Sequence, residues 1–246
     1  MLEIAKECFE VRKEGFELKI IEHRQIETNG TAKVQFIRID PEDLSMTLSD
    51  ILTALMNLSW LSKFDEDYEI AAFTSRANKT IEDIKDKFSK SEDDKISKDA
   101  GEYVVSELAR EAIVNQLHYL DIPLAELLGK KKSGNPGFDF HSQNIDTDTV
   151  IFGESKYVTT TTAYSSALPQ IVDFIDNGKD IEDLPELKQF CSAAALHRAY
   201  NGNKGFAAAF SAKRTSSDNI ISNIKSRSDF QSLLSYDEIL LVAVNL

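Results

Sequence analysis

The chain has 246 residues, 42% hydrophobic and 28% charged, which suits a globular protein able to bury a core without disulfides. Its only cysteines, Cys8 and Cys191, support no disulfide framework. Met1 to Lys13 mixes charges with apolar side chains and lacks the apolar run of a signal peptide, and no stretch approaches a membrane span; the expectation is a cytoplasmic protein in a reducing compartment. A net charge of −13 argues against a general nucleic-acid binder, because phosphate contacts need Lys and Arg.

The N-terminal third reads as a small α/β unit. Phe16 to Ile21 and Lys33 to Ile39 are candidate strands around an Asn29-Gly30 turn. In the second strand the apolar side changes after Phe36, which predicts either burial of both faces near Ile37 or a bulge there. Leu48, Ile51, Leu52, Leu55 and Leu58 recur at helical spacing, so Thr47 to Ser62 is expected to be a helix. Tyr68 to Phe73 suits a further strand. From Asn78 to Asp99 the chain is dense in Lys, Asp, Glu and Ser, which predicts a short charged helix and then a solvated linker. A boundary there divides the chain into residues 1–98, the N-terminal unit and linker, and 99–246, the core.

The second part opens with a predicted helix, Asp99 to Leu117. A loop with three consecutive lysines, Lys130 to Lys132, leads through Ser133-Gly134-Asn135-Pro136-Gly137 to two predicted strands, Phe138 to His141 and Thr149 to Val158. Helices are expected at Leu168 to Ile175 and Leu187 to Tyr200. The run Glu238 to Val244 reads as a strand buried on both faces.

Chemistry concentrates in Gly137-Phe138-Asp139-Phe140-His141 and Phe152-Gly153-Glu154-Ser155-Lys156-Tyr157. Residues two apart on a strand share a face, so Val150, Phe152, Glu154 and Lys156 lie together. A carboxylate and an ammonium at the end of a partly buried face are expensive unless paired or functional. A hairpin is able to bring Asp139, on the neighbouring strand, beside Glu154, with a register that the sequence does not specify. Two carboxylates suit a hard divalent cation, and a lysine beside them suits charge developing on a phosphoryl group. On the preceding helix, Gly101, Val105, Leu108, Ala109 and Ala112 form the apolar side at about 100° per residue. Glu102 falls at its edge, and Glu107 and Glu111 fall well away. Glu102 is therefore the expected fourth member of the site.

Asp139…Glu154-Ser155-Lys156 across a hairpin, after a helix carrying Glu102, resembles the PD-(D/E)XK nuclease superfamily over residues 101–177. More narrowly, Gly-Phe-Asp-Phe-His with Phe-Gly-Glu-Ser-Lys-Tyr resembles the HamA nuclease subunits of Hachiman anti-phage defence systems, which work with a helicase subunit. Asp139 follows Gly137-Phe138 and not proline, a position that varies in the superfamily. The resemblance implies a restriction-endonuclease-like α/β fold, a mixed central sheet flanked by helices. It implies Asp139, Glu154 and the Ser155 carbonyl as ligands of Mg²⁺ or Mn²⁺, Lys156 as the catalytic lysine, and Glu102 as the helix glutamate. DNA is the implied substrate, a helicase the implied partner, and anti-phage defence the implied setting.

Plainer readings exist for each feature. Glu154 and Lys156 read equally as a surface ion pair on an edge strand. His141 suits a hydrogen-bonded structural histidine as well as a partner to Asp139. Lys130 to Lys132 suits a solvated loop as well as a DNA-backbone contact, and Gln170 suits a helix-surface amide as well as a site residue. A rival function is a non-catalytic subunit that keeps the nuclease scaffold to bind a partner or sense nucleic acid. The acidic charge predicts either a local basic strip or a partner protein that delivers the substrate.

Overall fold

A computed structural model describes residues 18–91, 96–129, 137–159, 162–212 and 215–246. One six-stranded mixed sheet organises them: β1 (Lys19–Ile26), β2 (Lys33–Asp40), β3 (Phe140–Asn144), β4 (Thr149–Lys156), β5 (Gly205–Ala212) and β6 (Glu238–Asn245), in spatial order β1-β2-β6-β5-β4-β3. The four central strands run parallel, and β1 and β3 close the two edges antiparallel. Helices α1 (Leu44–Met56), α2 (Asp67–Phe88) and α3 (Lys98–Leu117) supply the core on one face, where Ile51, Ile84 and Val105 meet Ile37, Ile151 and Val242. Helices α4 (Tyr164–Asp176), α6 (Ala193–Tyr200), α7 (Ser217–Lys225) and α8 (Ser228–Leu233) cover the other, over Phe36, Phe152, Phe206 and Leu241; the short α5 (Lys179–Asp183) follows α4. The expected mixed sheet flanked by helices is the observed architecture.

β2 is buried from Val34 to Ile39 because it lies inside the sheet, between β1 and β6, so both faces at Ile37 pack. The bulge sits instead in β1, between Ile20 and Glu22. The strands of the expected N-terminal unit extend the same sheet as the strands carrying Asp139 and Glu154; β2 pairs with β6 from Lys33 to Ile39. The boundary near residue 98 thus falls between two helices of one layer, not between two sheets.

Several elements differ from the sequence expectation. The first strand runs to Ile26, and Phe16 and Glu17, where it was expected to start, lie outside the described residues. Tyr68 to Phe73 is helical and opens the 22-residue α2, whose Ala77, Ile81, Ile84 and Phe88 recur at helical spacing and bury one stripe. The charged helix expected after Asn78 is the second half of α2, which ends at Phe88 with its charges outward; residues 92–95 of the expected linker lie outside the described residues. The helix expected over Thr47 to Ser62 stops at Met56 and gives way to a 3-10 turn at Ser59–Lys63. The helix expected from Leu187 begins at Ala193, capped by the Ser192 hydroxyl accepting from the Ala195 N–H.

β5 has no counterpart in the sequence expectation. Its run Gly-Phe-Ala-Ala-Ala-Phe-Ser-Ala favours helix by propensity. It is a strand because it lies between β4 and β6, and all eight of its residues are buried. Small alanines there let α3 and α4 pack on opposite faces. β6 is buried on both faces, as the apolar run predicts. Among the described residues no helix is long and apolar enough to cross a membrane.

Candidate active site

The site lies where β4 ends and β3 begins. β3 and β4 pair antiparallel, with Phe140 opposite Gly153 and His141 opposite Phe152. One step further, the Asp139 N–H donates to the Gly153 carbonyl at 2.8 Å, which sets Asp139 across from Glu154. The expected face-sharing holds for the apolar members: Val150 and Phe152 belong to one core, Ile151 to the other. Glu154 and Lys156 continue the first series.

Gly153 has a direct part in this. A Cβ there would fall 2.3 Å from the Phe140 ring, so the close approach of the two strands beside Asp139 needs glycine. Gly101 does the same for α3: a Cβ would sit 2.0 Å from the Tyr157 ring. The first turns of α3 thereby press on the end of β4 and bring Glu102 over Lys156.

Asp139 and Glu154 are 2% and 1% exposed. The Ser155 N–H donates to Asp139 Oδ2 at 2.7 Å. Lys156 Nζ donates to Glu154 Oε1 at 2.6 Å and stands 3.5 Å from Glu102 Oε1. Burial acts to lower the Lys156 pKa, but Glu154, Asp139 and then Glu102 more than offset it, and the group titrates above its usual 10.5. It is an ammonium at neutral pH. The four side chains are three carboxyl groups and one ammonium.

The surface-pair reading of Glu154 and Lys156 does not survive. β4 is an interior strand, between β3 and β5, and the Glu154 carboxylate is almost fully buried. The expectation for the helix glutamates is corrected in part. Glu102 does reach the site, with its side chain 47% exposed. Glu107 and Glu111, placed by the helical wheel away from the apolar side, are each 1% exposed. The wheel misjudges them because α3 is buried on every side from Val104 to Ile113, enclosed by the sheet, α1, α2 and the loop at Asp121–Leu127. Both pair with Arg110.

His141 follows its structural reading: its Nε2 lies 2.8 Å from Asp183 Oδ2, and both are buried. Asp183 comes 42 residues later on α5, and nothing local in the sequence connects the two. Gln170 is half-buried on α4. Lys130 to Lys132 lie outside the described residues.

The donor set suits a hard divalent cation. Within a strand, the N–H and C=O of one residue point to the same side. The Ser155 N–H points toward Asp139, so the Ser155 carbonyl is directed past the start of β3, beside the same carboxylate. Asp139, Glu154 and that carbonyl together offer oxygen ligands of the kind Mg²⁺ and Mn²⁺ take. Among the described residues no three His, Cys, Asp or Glu side chains gather in a metal-holding group. No family model, no curated protein and no solved structure matches this chain.

Proposed function

We propose that the protein is a metal-dependent nuclease of the PD-(D/E)XK type that hydrolyses phosphodiester bonds in DNA. The observation that carries this reading is the burial of Asp139 and Glu154 side by side, with the Lys156 ammonium 2.6 Å from Glu154. Buried carboxyl groups on neighbouring strands beside a lysine are costly to place and suit a site that handles a cation and a phosphoryl group. The position, at the carboxyl end of a central parallel strand, is where open α/β sheets bind ligands.

Asp139, Glu154 and the Ser155 carbonyl would hold the metal. When bound, Mg²⁺ or Mn²⁺ supplies Lewis-acid stabilisation of the phosphoryl oxygens and eases deprotonation of the attacking water. Lys156 is a donor only: it orients the water and balances charge developing on the phosphate. Asp139 is fixed by the Ser155 N–H, and Glu102 holds the lysine from the helix side.

The net charge of −13 supports a protein that meets DNA through a partner. In this reading the chain is the effector of a bacterial anti-phage complex in the cytoplasm, restrained by a helicase subunit and released on infection. The same charge also favours the rival, a non-catalytic scaffold that binds the same partner.

Cleavage separates the two. Plasmid and linear duplex are incubated in Mg²⁺ with the wild type and with Lys156→Ala, alone and together with a candidate helicase partner. The nuclease reading expects cleavage by the wild type and a loss of about 10²–10³-fold in the variant. A wild type inert under every condition, or a variant that cuts equally well, contradicts it.

A further inference from the structure

We infer that Lys156 is a latch on the site, occupying Glu154 in the absence of a divalent cation, and that Glu102 is the carboxylate that receives its ammonium when the cation binds. The inference rests on the metal-dependent reading above and assigns the regulation of that same site.

The argument begins with Glu154 Oε1. The Lys156 ammonium already donates to it at 2.6 Å. A divalent cation on the same carboxylate repels an ammonium held at that distance. Metal binding to Glu154 therefore weakens the Lys156 contact and favours its release. Full solvation is not open to a side chain only 17% exposed. The acceptor beside it is Glu102 Oε1, at 3.5 Å, within ion-pair range but beyond the roughly 2.7–3.2 Å of a hydrogen bond. A small swing of the flexible lysine stem closes that gap.

Glu102 is suited to receive and not to ligate. Its side chain is 47% exposed while Asp139 and Glu154 are buried, and its ion-pair partner in the site is the lysine. It lies on α3, one residue after the Gly101–Tyr157 contact that fixes the helix against β4. The receiving carboxylate is thus held in place by packing, while the lysine is the part that moves. Glu102 is a positioning residue: it lowers the cost of metal entry by giving the displaced ammonium a partner.

The test is a double-mutant cycle read by metal affinity, without DNA. MgCl₂ is titrated calorimetrically, and Mn²⁺ by its free-ion electron paramagnetic resonance signal, into the wild type, Glu102→Gln, Lys156→Gln and the double variant. Lys156→Ala is a second replacement should Lys156→Gln fail to fold by circular dichroism. The latch predicts tighter binding in the lysine variant. It predicts that Glu102→Gln weakens binding about tenfold in the wild-type background, a typical coupling between linked sites. In the lysine variant the same substitution should have less than about a twofold effect, as expected when the interaction it acts through is gone. Equal weakening in both backgrounds would mean that Glu102 acts on the metal directly and would overturn the latch. Unchanged or tighter binding by Glu102→Gln alone would overturn it too, with the metal reading intact. No divalent binding by any of the four proteins would remove both.

Discussion

Helix α3 brings together two charge clusters with the same inventory. One pairs Asp139 and Glu154, both buried, with Lys156, and sets the more exposed Glu102 at its edge. The other pairs Glu107 and Glu111, both buried, with Arg110, and sets Asp121, 34% exposed, at its edge. The difference lies in the cation. Arg110 Nε donates to Glu107 Oε2 at 2.8 Å, one terminal nitrogen serves Glu107 and Glu111, the other meets Asp121, and Asn115 completes Glu111. That rigid fork ties several carboxylates at once. Burial acts to lower the Arg110 pKa, but Glu107, Asp121 and Glu111 drive it well above the usual guanidinium value. Lys156 is a single point charge on a flexible stem, with one short contact and one long one. The same charges make a locked strut in one place and an exchangeable cation in the other.

The strongest way to break this comparison is to remove each cation. Arg110→Met removes the guanidinium that the buried Glu107 and Glu111 share and should cost about 3–5 kcal/mol of stability, measured by urea unfolding. Lys156→Met should cost less, and Mg²⁺ should raise its melting temperature, because a ligand that binds only the folded state stabilises it. Mg²⁺ rescue of Arg110→Met, or none of Lys156→Met, would erase the distinction.

A smaller effect is expected from the packing that places the site. Gly153→Ala drives a methyl into the Phe140 ring, and overpacking of this kind costs about 1–3 kcal/mol. Phe140→Leu in the same chain should restore part of that loss. A Gly153→Ala protein as stable as the wild type would show that the β3–β4 approach does not depend on the glycine.

The two clusters also mark how far the sequence can be read. Asp139, Glu154 and Lys156 are legible because strand alternation is local: Val150 and Phe152 fix the face, and a charge at its end stands out. Glu102 emerges from a helical wheel, which judges it against one apolar side. The same wheel places Glu107 and Glu111 away from the core, because it has no means of knowing that a loop from Ile122 to Leu127 and helix α1 enclose the far side. Burial of that kind is set by tertiary packing. β5 is illegible for a related reason: Ala207, Ala208 and Ala209 carry no strand signal, and their place in the middle of the sheet decides their state. His141 and Asp183 meet across 42 residues, a separation that leaves no trace in a local pattern.

The central claim is that the cluster at the end of β4 performs chemistry and the one on α3 holds the fold. The most direct measurement exchanges one buried glutamate from each for glutamine and reads Mg²⁺-dependent DNA cleavage and melting temperature on the same samples. Glu154→Gln should abolish cleavage and lower the melting temperature less than Glu107→Gln does, since Lys156 keeps Glu102 within ion-pair range. Glu107→Gln should lower the melting temperature and, below it, cut as the wild type does. Cleavage that survives Glu154→Gln, or that is lost in folded Glu107→Gln, would contradict the account.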